Sequence, residues 1–253
     1  MDRGTYSAAS GGLFQFRKLE VVNNNLANTN TPGFKKQLLV GSEQTFDQTL
    51  ASAMQGMDAY ASGDHRRTPG VVNIKTVTDF SAGPIKNTGN PLDAALRDEH
   101  DFFAIQTPEG EQYTRAGNFT LDSEGTLVTM DGLPVMGDGG PLVAQGAGVS
   151  LGNDGSLRAG GAAVGKVKVV HFDDPSALER VGATRFKLGA NQPAPAPSEN
   201  QIEAQSLEMS NALNVNSILD LITTNRAFDM YTKSARSIDE MNQQAISQIG
   251  RRR

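Results

Sequence analysis

The chain has 253 residues, which at about 150 residues per domain allows one large domain or two small ones. Its hydrophobic fraction of 38% excludes a wholly disordered chain, and its net charge of −5 argues against a nucleic-acid-binding function. Cysteine is absent, which excludes disulfides, thiolate metal ligands and a cysteine nucleophile. No apolar run is long enough to span a bilayer, and the N-terminus lacks the basic patch and apolar run of a Sec signal peptide, so we expect no membrane insertion and no cleaved signal.

The N-terminal segment, residues 1–40, begins with a predicted amphipathic helix. Apolar side chains recur every three or four residues, at Leu13, Phe16, Leu19, Val22 and Leu26. The helix is expected to end by Thr31, because Pro32 disfavours helix at the preceding residue and Gly33 would interrupt any further turn. Such a stripe packs either on the core of its own domain or on a partner helix.

The middle of the chain predicts an antiparallel β domain over residues 85–190, after a connector at residues 41–84. Residues 102–107 and 112–114 flank a Pro-Glu-Gly turn and predict a hairpin. Residues 121–127 and 151–157 share one plan, in which an acid and a glycine lie between two leucines, and this is typical of a tight hairpin turn. Residues 166–172 alternate, are rich in valine and predict a further strand.

The C-terminal part predicts an extended, proline-rich connector at residues 191–204 and then a long helix within residues 205–253. The helix carries a heptad pattern, with one position at Leu221, Phe228, Ala235, Asn242 and Ile249 and the other at Thr224, Tyr231, Ile238 and Ala245. A start between residues 207 and 215 gives a helix of roughly 45–60 Å, which suits a partner helix better than a compact core. Asn242 is expected to fix the register of pairing at a cost in stability. The predicted fold class is therefore α+β, with helices at both ends of a β-rich centre.

The sequence shows no group of residues that predicts catalysis, a cofactor or a metal site. The three histidines, at positions 65, 100 and 171, are far apart. The run Asp-Glu-His-Asp at residues 98–101 has metal-ligating residue types, but it precedes a strand and is interpreted as a solvated turn. Two other functions remain as alternatives: a secreted β-rich enzyme acting on the cell wall, which needs clustered acids in a cleft, and a carbohydrate-binding module. The second alternative usually requires exposed aromatic residues, and this chain has no Trp and only 4 Tyr.

Two strings are more specific than any of these patterns. The first is Asn-Leu-Ala-Asn followed by Thr-Pro-Gly-Phe-Lys within residues 23–36, and the second runs through residues 90–142 with Asn-Pro-Leu-Asp, Phe-Phe and Tyr-Thr-Arg-Ala-Gly-Asn-Phe. Residues 207–211 (Leu-Glu-Met-Ser-Asn) and 225–229 (Asn-Arg-Ala-Phe-Asp) come after them in the same order. Together these segments resemble the bacterial flagellar rod and hook family over nearly the whole chain. The opening Met-Asp-Arg-Gly-Thr-Tyr and the length are most similar to the proximal-rod member, and the distal-rod member is the alternative.

The resemblance implies a structural, non-enzymatic subunit of a helical tube in the periplasm, which transmits torque from motor to hook. It implies that the terminal helices pair into a coiled-coil-like inner layer, and that export proceeds through the flagellar type III apparatus without a cleaved signal. The expected partners are further copies of the chain and neighbouring rod proteins. The expected assembly interface consists of the helix stripes, the signature residues and the exit turn: Leu13, Phe16, Leu19, Val22, Leu26, Asn28, Pro32, Gly33, Phe34, Leu221, Phe228, Tyr231, Ala235, Ile238 and Asn242.

Overall fold

The structure is a computed structural model that describes residues 3–43, 72–146, 148–189, 192–198, 202–212 and 214–250. These residues form two compact units. The first takes its described residues from Met1–Asn24, Gln37–Val77 and Val215–Arg253, and the second from Asn25–Lys36 and Thr78–Asn214. No helix among the described residues is long and apolar enough to cross a membrane.

Two helices and a two-stranded sheet make up most of the first unit. Helix α1 is Arg3–Ala27, helix α2 is Asn214–Gly250, and strands β1 (Gln37–Glu43) and β2 (Val72–Thr78) pair with each other. Helix α1 ends before Pro32, as predicted, and its last turn closes where the Thr29 amide donates to the Leu26 carbonyl at 3.3 Å. With 37 residues, α2 is about 55 Å long, within the predicted range. Strands β1 and β2 lie within or beside the predicted connector, whose residues 44–71 are outside the described ranges.

The second unit is built from short strands. They are β3 (Ile85–Asn87), β4 (Ala94–Leu96), β5 (Asp101–Thr107), β6 (Gly110–Thr114), β7 (Thr120–Leu121), β8 (Leu127–Val128), β9 (Met136–Gly137), β10 (Gly140–Pro141), β11 (Ser150–Leu151), β12 (Ser156–Ala159), β13 (Ala162–Lys166), β14 (Val169–His171), β15 (Leu178–Arg180), β16 (Arg185–Leu188), β17 (Ala196–Pro197), β18 (Ile202–Ala204) and β19 (Ser206–Glu208). A 3₁₀ turn, Pro175–Ala177, precedes β15. Together with α1 and α2, this arrangement confirms the predicted α+β class.

The central sheet has six strands in the order β15-β16-β6-β5-β14-β17, and β5 lies inside it with both faces covered. Successive side chains of a strand point to opposite faces, so the adjacent residues Phe102 and Phe103 enter two different hydrophobic clusters. Phe102 packs with Phe172 and Phe186, whereas Phe103 packs with Phe119 and the leucines of the neighbouring hairpins. The β5–β6 hairpin confirms the turn predicted at residues 108–110.

The two similar leucine-flanked segments form two hairpins, as predicted. Strands β7 and β8 pair in antiparallel register, and so do β11 and β12. Gly125 and Gly155 in their turns have φ of +84° and +78°, a region that residues with a Cβ rarely adopt. The two turns are thus equivalent in backbone conformation.

Three expectations for the centre and its flanks are corrected. Residues 166–172 form no single strand, because β13 ends at Lys166, Val167 forms an isolated bridge with Gly137, and β14 then pairs with β5. Residues 206–208 belong to strand β19 and precede α2, because β19 pairs with β3 in the second unit. The run at 98–101 is not simply a solvated turn, since Asp101 begins β5 and is only 1% exposed.

Candidate functional site

The apolar stripes of the two helices are only partly covered in the single chain. In α1, Val22 is buried and Leu19 is half-buried, whereas Leu13 and Phe16 are 55% and 44% exposed. The α2 stripe positions Leu221, Phe228, Ala235, Ile238 and Asn242 are half-buried and Tyr231 is 38% exposed. The stripe therefore marks the more covered face of α2, but it leaves much apolar surface in contact with water.

The first unit brings together one pair of stripe positions, and it places a third stripe position, Tyr231, against a glycine of α1. The rings of Phe16 and Phe228 lie 6.2 Å apart, and a Cβ placed on Gly11 would lie 2.4 Å from a ring carbon of Tyr231. Gly11 was not among the predicted interface residues. The sequence signal was nevertheless present, since adjacent glycines at 11 and 12 inside a predicted helix leave room for an aromatic ring.

The predicted signature residues lie in the second unit. The Thr31 hydroxyl donates to Asn28 Oδ1 at 3.2 Å, Leu26 and Pro32 are half-buried, and Gly33 and Phe34 are buried. Gly33 forms the expected exit turn with φ of +69°. It packs within the second unit, where an added Cβ would lie 2.3 Å from the Ala116 nitrogen. The Gly33 amide donates to the Glu208 carbonyl at 2.8 Å.

Beside this turn, three charged side chains form a buried ion cluster, defined as Lys35, Arg115 and Glu208. Lys35 Nζ lies 2.7 Å from Glu208 Oε1, and the Arg115 guanidinium donates to Glu208 Oε2 from Nε at 2.8 Å and approaches it with Nη2 at 2.7 Å. Each residue is at most 1% exposed. One carboxylate thus holds two cations that belong to distant parts of the sequence.

Backbone groups solvate the charged atoms of the cluster. Lys35 Nζ also donates to the Ser81 carbonyl at 2.7 Å, and the Gly83 amide donates to Glu208 Oε1 at 2.8 Å. Arg115 donates to the carbonyls of Leu96, Asp98 and Asp101. A buried excess positive charge requires this solvation, because an uncompensated ion inside a protein is costly.

Burial and mutual attraction set the protonation of the cluster. Burial alone would raise the pKa of Glu208, but the charges of Arg115 and Lys35 and their hydrogen bonds outweigh it, so that this pKa lies below its usual value. The pKa of Lys35 is lowered by burial and by Arg115, against the opposing attraction of Glu208. Glu208 is therefore the anion of the cluster at neutral pH.

Asn211 and Arg180 extend the junction on either side. The Asn211 amide donates to the carbonyls of Asp79 and Ser81 at 2.9 and 3.1 Å, while its oxygen accepts from the Lys36 amide at 2.7 Å. Arg180 stacks 5.0 Å over the ring of Phe34 and donates to the Lys35 carbonyl, and burial lowers its pKa to about 10. Both side chains hold residues 34–36 against the β-rich unit.

This arrangement is suited to mechanical joining. Its members come from the N-terminal signature, the β domain and the segment before α2, so that a force on one segment reaches the others through short, buried contacts. The only sequence signal for the three charged residues is that each lies in one of the segments that carry the family resemblance. Lys, Arg and Glu are normally solvated, and nothing in their local sequence indicates burial.

Comparison with known proteins identifies the family to which these segments belong. Three family models match in chain order: flagella basal body rod protein at residues 6–35, the D1 domain of flagellar hook protein FlgE/F/G at residues 99–159, and the C-terminal region of flagellar basal body rod FlgEFG protein at residues 203–249. Lys35, Arg115 and Glu208 each lie in a different one of these regions. The ion cluster thus joins all three.

Full-length relatives point to the same family. The chain is 33% identical to flagellar basal-body rod protein FlgF of Caulobacter vibrioides, with 99% of each chain covered. It is 32% identical to rod protein FlgG of Bacillus subtilis, covering 98% of this chain and 99% of the relative, and 30% identical to FlgF of Salmonella typhimurium, covering 95% of each. The chain therefore belongs to the flagellar basal-body rod protein family.

Proposed function

We propose that this protein is a structural subunit of the flagellar basal-body rod, of the FlgF kind, and that it performs no catalysis. The single observation that carries the proposal is the similarity to FlgF rod proteins over nearly the full chain. The ion cluster supports it, because one residue from each of the three family regions meets the others there in a buried site. A subunit that transmits torque must not let its segments slide, and close-packed interiors transmit strain. Subunits of the FlgG kind are the second candidate, because a FlgG relative also matches the full chain.

The helices are proposed to pair in a coiled-coil-like layer that is completed by other copies of the chain. The Phe16–Phe228 contact and the position of Tyr231 beside Gly11 support pairing within the chain. The exposed parts of Leu13, Phe16 and Tyr231 leave surface for a neighbour. Stripe residues at heptad spacing would then become knobs packed into a facing helix, with Asn242 selecting the register.

The remaining features of the proposal derive from the family. The proposed division of the chain is a helix with the signature at 1–40, connectors at 41–84 and 191–204, a β domain at 85–190 and a C-terminal part at 205–253, in which strand β19 precedes helix α2. The predicted interface would face other copies and neighbouring rod proteins with residues that include Leu19, Leu26, Asn28, Pro32, Leu221, Ala235 and Ile238. Val22, also predicted for this interface, is already buried within the chain. The subunit would leave the cytoplasm through the flagellar type III export apparatus, without a cleaved signal, and reside in the part of the rod that spans the periplasm.

A complementation experiment tests the function. A strain lacking this subunit is supplied with the wild-type chain carrying a small label in the loop at residues 108–110, and basal bodies are purified and imaged. We expect restored swimming and label in the rod. A label found elsewhere in the cell envelope, or normal swimming without the chain, would contradict the proposal.

A second assay separates the structural function from the alternatives. The purified chain is incubated with peptidoglycan, and both release of fragments and retention on the insoluble wall are measured. A structural subunit is expected to do neither above the level of an unrelated acidic protein. Cleavage would favour a cell-wall enzyme, and retention without cleavage would favour a carbohydrate-binding module.

A further inference from the structure

A second group of polar side chains, with no member in common with the ion cluster, lies where β14 pairs with the start of β5. Asp101 and His171 are direct partners in the antiparallel ladder, which places both side chains on one face of the sheet. His171 Nδ1 lies 2.9 Å from Asp101 Oδ1. Asp98, just before β5, provides a third possible metal ligand, and one ligand atom from each of the three residues lies within 4.8 Å of the others.

We propose that Asp98, Asp101 and His171 form a binding site for a divalent transition-metal ion of the Zn²⁺ class. Zn²⁺ takes imidazole nitrogen and carboxylate oxygen ligands at about 2.0–2.2 Å, which in a tetrahedral site places the ligand atoms about 3.3 Å apart. The Asp101–His171 separation of 2.9 Å is already close to this distance. A mixed set of one imidazole and two carboxylates favours Zn²⁺ over Mg²⁺ and Ca²⁺, which prefer oxygen ligands.

The surroundings provide the support that such ligands require. The Ser198 hydroxyl donates to Asp101 Oδ2 at 3.0 Å, which leaves Oδ1 directed at His171, and the His100 amide donates to Asp98 Oδ1 at 2.9 Å. These hydrogen bonds orient both carboxylates. With the metal on Nδ1, the imidazole proton resides on Nε2, and the exposed Asp173 Oδ1 lies 4.0 Å from that nitrogen, beyond hydrogen-bond distance.

The local charge also favours a cation. Glu99 and Asp173 carry further carboxylates close to the two histidine rings, which stack at 5.6 Å between centroids. Arg115 is a cation that contacts two of these residues, and its guanidinium is held by Glu208 and by the carbonyls of Asp98 and Asp101. A bound ion would therefore fix the same two residues whose carbonyls hold Arg115, and so stiffen the ion cluster.

Direct titration tests the site. The full-length chain, freed of metal with a chelator, is titrated with ZnCl₂ in calorimetry, and the ring-nitrogen shifts of His171 are followed by NMR. We expect one Zn²⁺ per chain, coordination at Nδ1 of His171, and a higher melting temperature with Zn²⁺ than with chelator. MgCl₂ and CaCl₂ at the same concentrations are expected to change neither signal.

Variants identify the ligands. His171→Gln and Asp98→Asn should each weaken Zn²⁺ binding at least about 10- to 100-fold, whereas Asp138→Asn, a matched change in the β9–β10 turn, should leave it unchanged. Thermal melting of each variant in chelator checks that it is folded. If His171→Gln does not fold, Asp98→Asn still tests the site, because it keeps the shape of the half-buried side chain. Three results would each overturn the proposal: no Zn²⁺ binding by the wild-type chain, Zn²⁺ binding by both ligand variants that is as tight as that of the wild type, or Mg²⁺ binding as tight as Zn²⁺ binding.

Discussion

Lys35 and Glu208 are 173 positions apart in the chain, yet their side chains meet at 2.7 Å with at most 1% of either residue exposed. The contact joins the segment that follows α1 to the segment that precedes α2. Because Arg115 of the β domain shares the same carboxylate, the two ends of the family fold are connected to its centre through one residue.

Glu208→Gln is expected to destabilise the folded chain by about 3–5 kcal/mol, because it leaves Lys35 and Arg115 buried without their anion. The measurement is urea unfolding of the full-length chain, monitored by a signal from the β domain. Glu203→Gln is the matched control. Glu203 pairs with the exposed Arg97 at 3.1 Å, and loss of such a surface pair costs about 1 kcal/mol or less. Equal losses in the two variants would show that the ion cluster contributes no more than a surface pair.

The stability gap between wild type and Glu208→Gln is expected to depend on acid pH. The folded-state pKa of Glu208 lies below its ordinary value of 4.5, so the stability it contributes is present above that value and is lost as the pH falls through the lower, folded-state pKa. The gap should be constant from about pH 6 to 8 and shrink below about pH 4.5, where the carboxyl of the unfolded wild-type chain takes up a proton. It should be smallest below the folded-state pKa, where the folded carboxyl is neutral like the amide. The lowered pKa of Lys35 acts at alkaline pH and does not enter this comparison. Unfolding curves of both proteins across the acid range provide the test, and a gap that stays constant to the lowest pH at which both fold would contradict the assignment.

Gly33→Ala is expected to be far more destabilising than a change at a comparable glycine. Gly33 and Gly89 have nearly equal φ, +69° and +72°, so the backbone strain of an alanine is similar, about 1–2 kcal/mol. Around Gly89 an added Cβ meets nothing within 4 Å, whereas at Gly33 it would lie 2.3 Å from the Ala116 nitrogen and 2.4 Å from the Arg115 carbonyl carbon. Chemical unfolding of both variants measures the difference. If Gly89→Ala costs as much as Gly33→Ala, the close approach to Arg115 and Ala116 has no energetic importance.

Local signals allowed much of the fold to be predicted from the sequence. The apolar spacing from Leu13 to Leu26 and the proline at 32 located α1, and an acid followed by Gly125 or Gly155 located two hairpins, because each signal depends on neighbouring residues. The split of residues 166–172 could not be predicted. Val167 leaves the strand to bridge Gly137, which is distant in sequence.

The ion cluster could not be predicted from the sequence, because its burial also depends on residues that are distant in the chain. The sequence offers charges at 35, 115 and 208 without indicating that they are buried, and only the paired strands β19 and β3 carry Glu208 into the second unit. Asp101 is a comparable case. Its acid-rich neighbourhood indicates a solvated turn, but pairing with β14 buries it beside His171. Burial of a polar residue is decided by tertiary pairing, which local composition does not report.

Phe228→Ala is expected to impair rod assembly more than it impairs folding of the free chain. Phe228 is half-buried, and its ring centroid lies 6.2 Å from that of Phe16. Truncation therefore removes only part of a contact in the monomer, whereas at a fully packed site in the rod it should cost about 2–5 kcal/mol of packing free energy. Swimming and the number of rods per cell are the measurements. Met230→Ala, at a position 63% exposed on another face of α2, is the control and should be nearly neutral. Ile238→Ala should behave like Phe228→Ala, and normal rods in both would show that the stripe is a solvated face.

The free chain is expected to keep its β domain folded while α1 and α2 exchange their amide protons quickly. The apolar side chains that would stabilise these helices remain partly exposed in the single chain, from Leu13 and Phe16 to Tyr231, and a helix without packing is only marginally stable in water. Joining the rod would bury these side chains, and the helices would lose chain entropy as they become ordered. This entropy cost disfavours assembly among free chains in the cytoplasm, so that assembly would wait for a pre-formed rod end. Hydrogen exchange on dilute monomer beside assembled rod tests this, with the buried strand β5 as the internal reference. Protection of the amides from Leu221 to Ile238 in a verified monomer as strong as that of β5 would show that α2 has already found its partner within one chain.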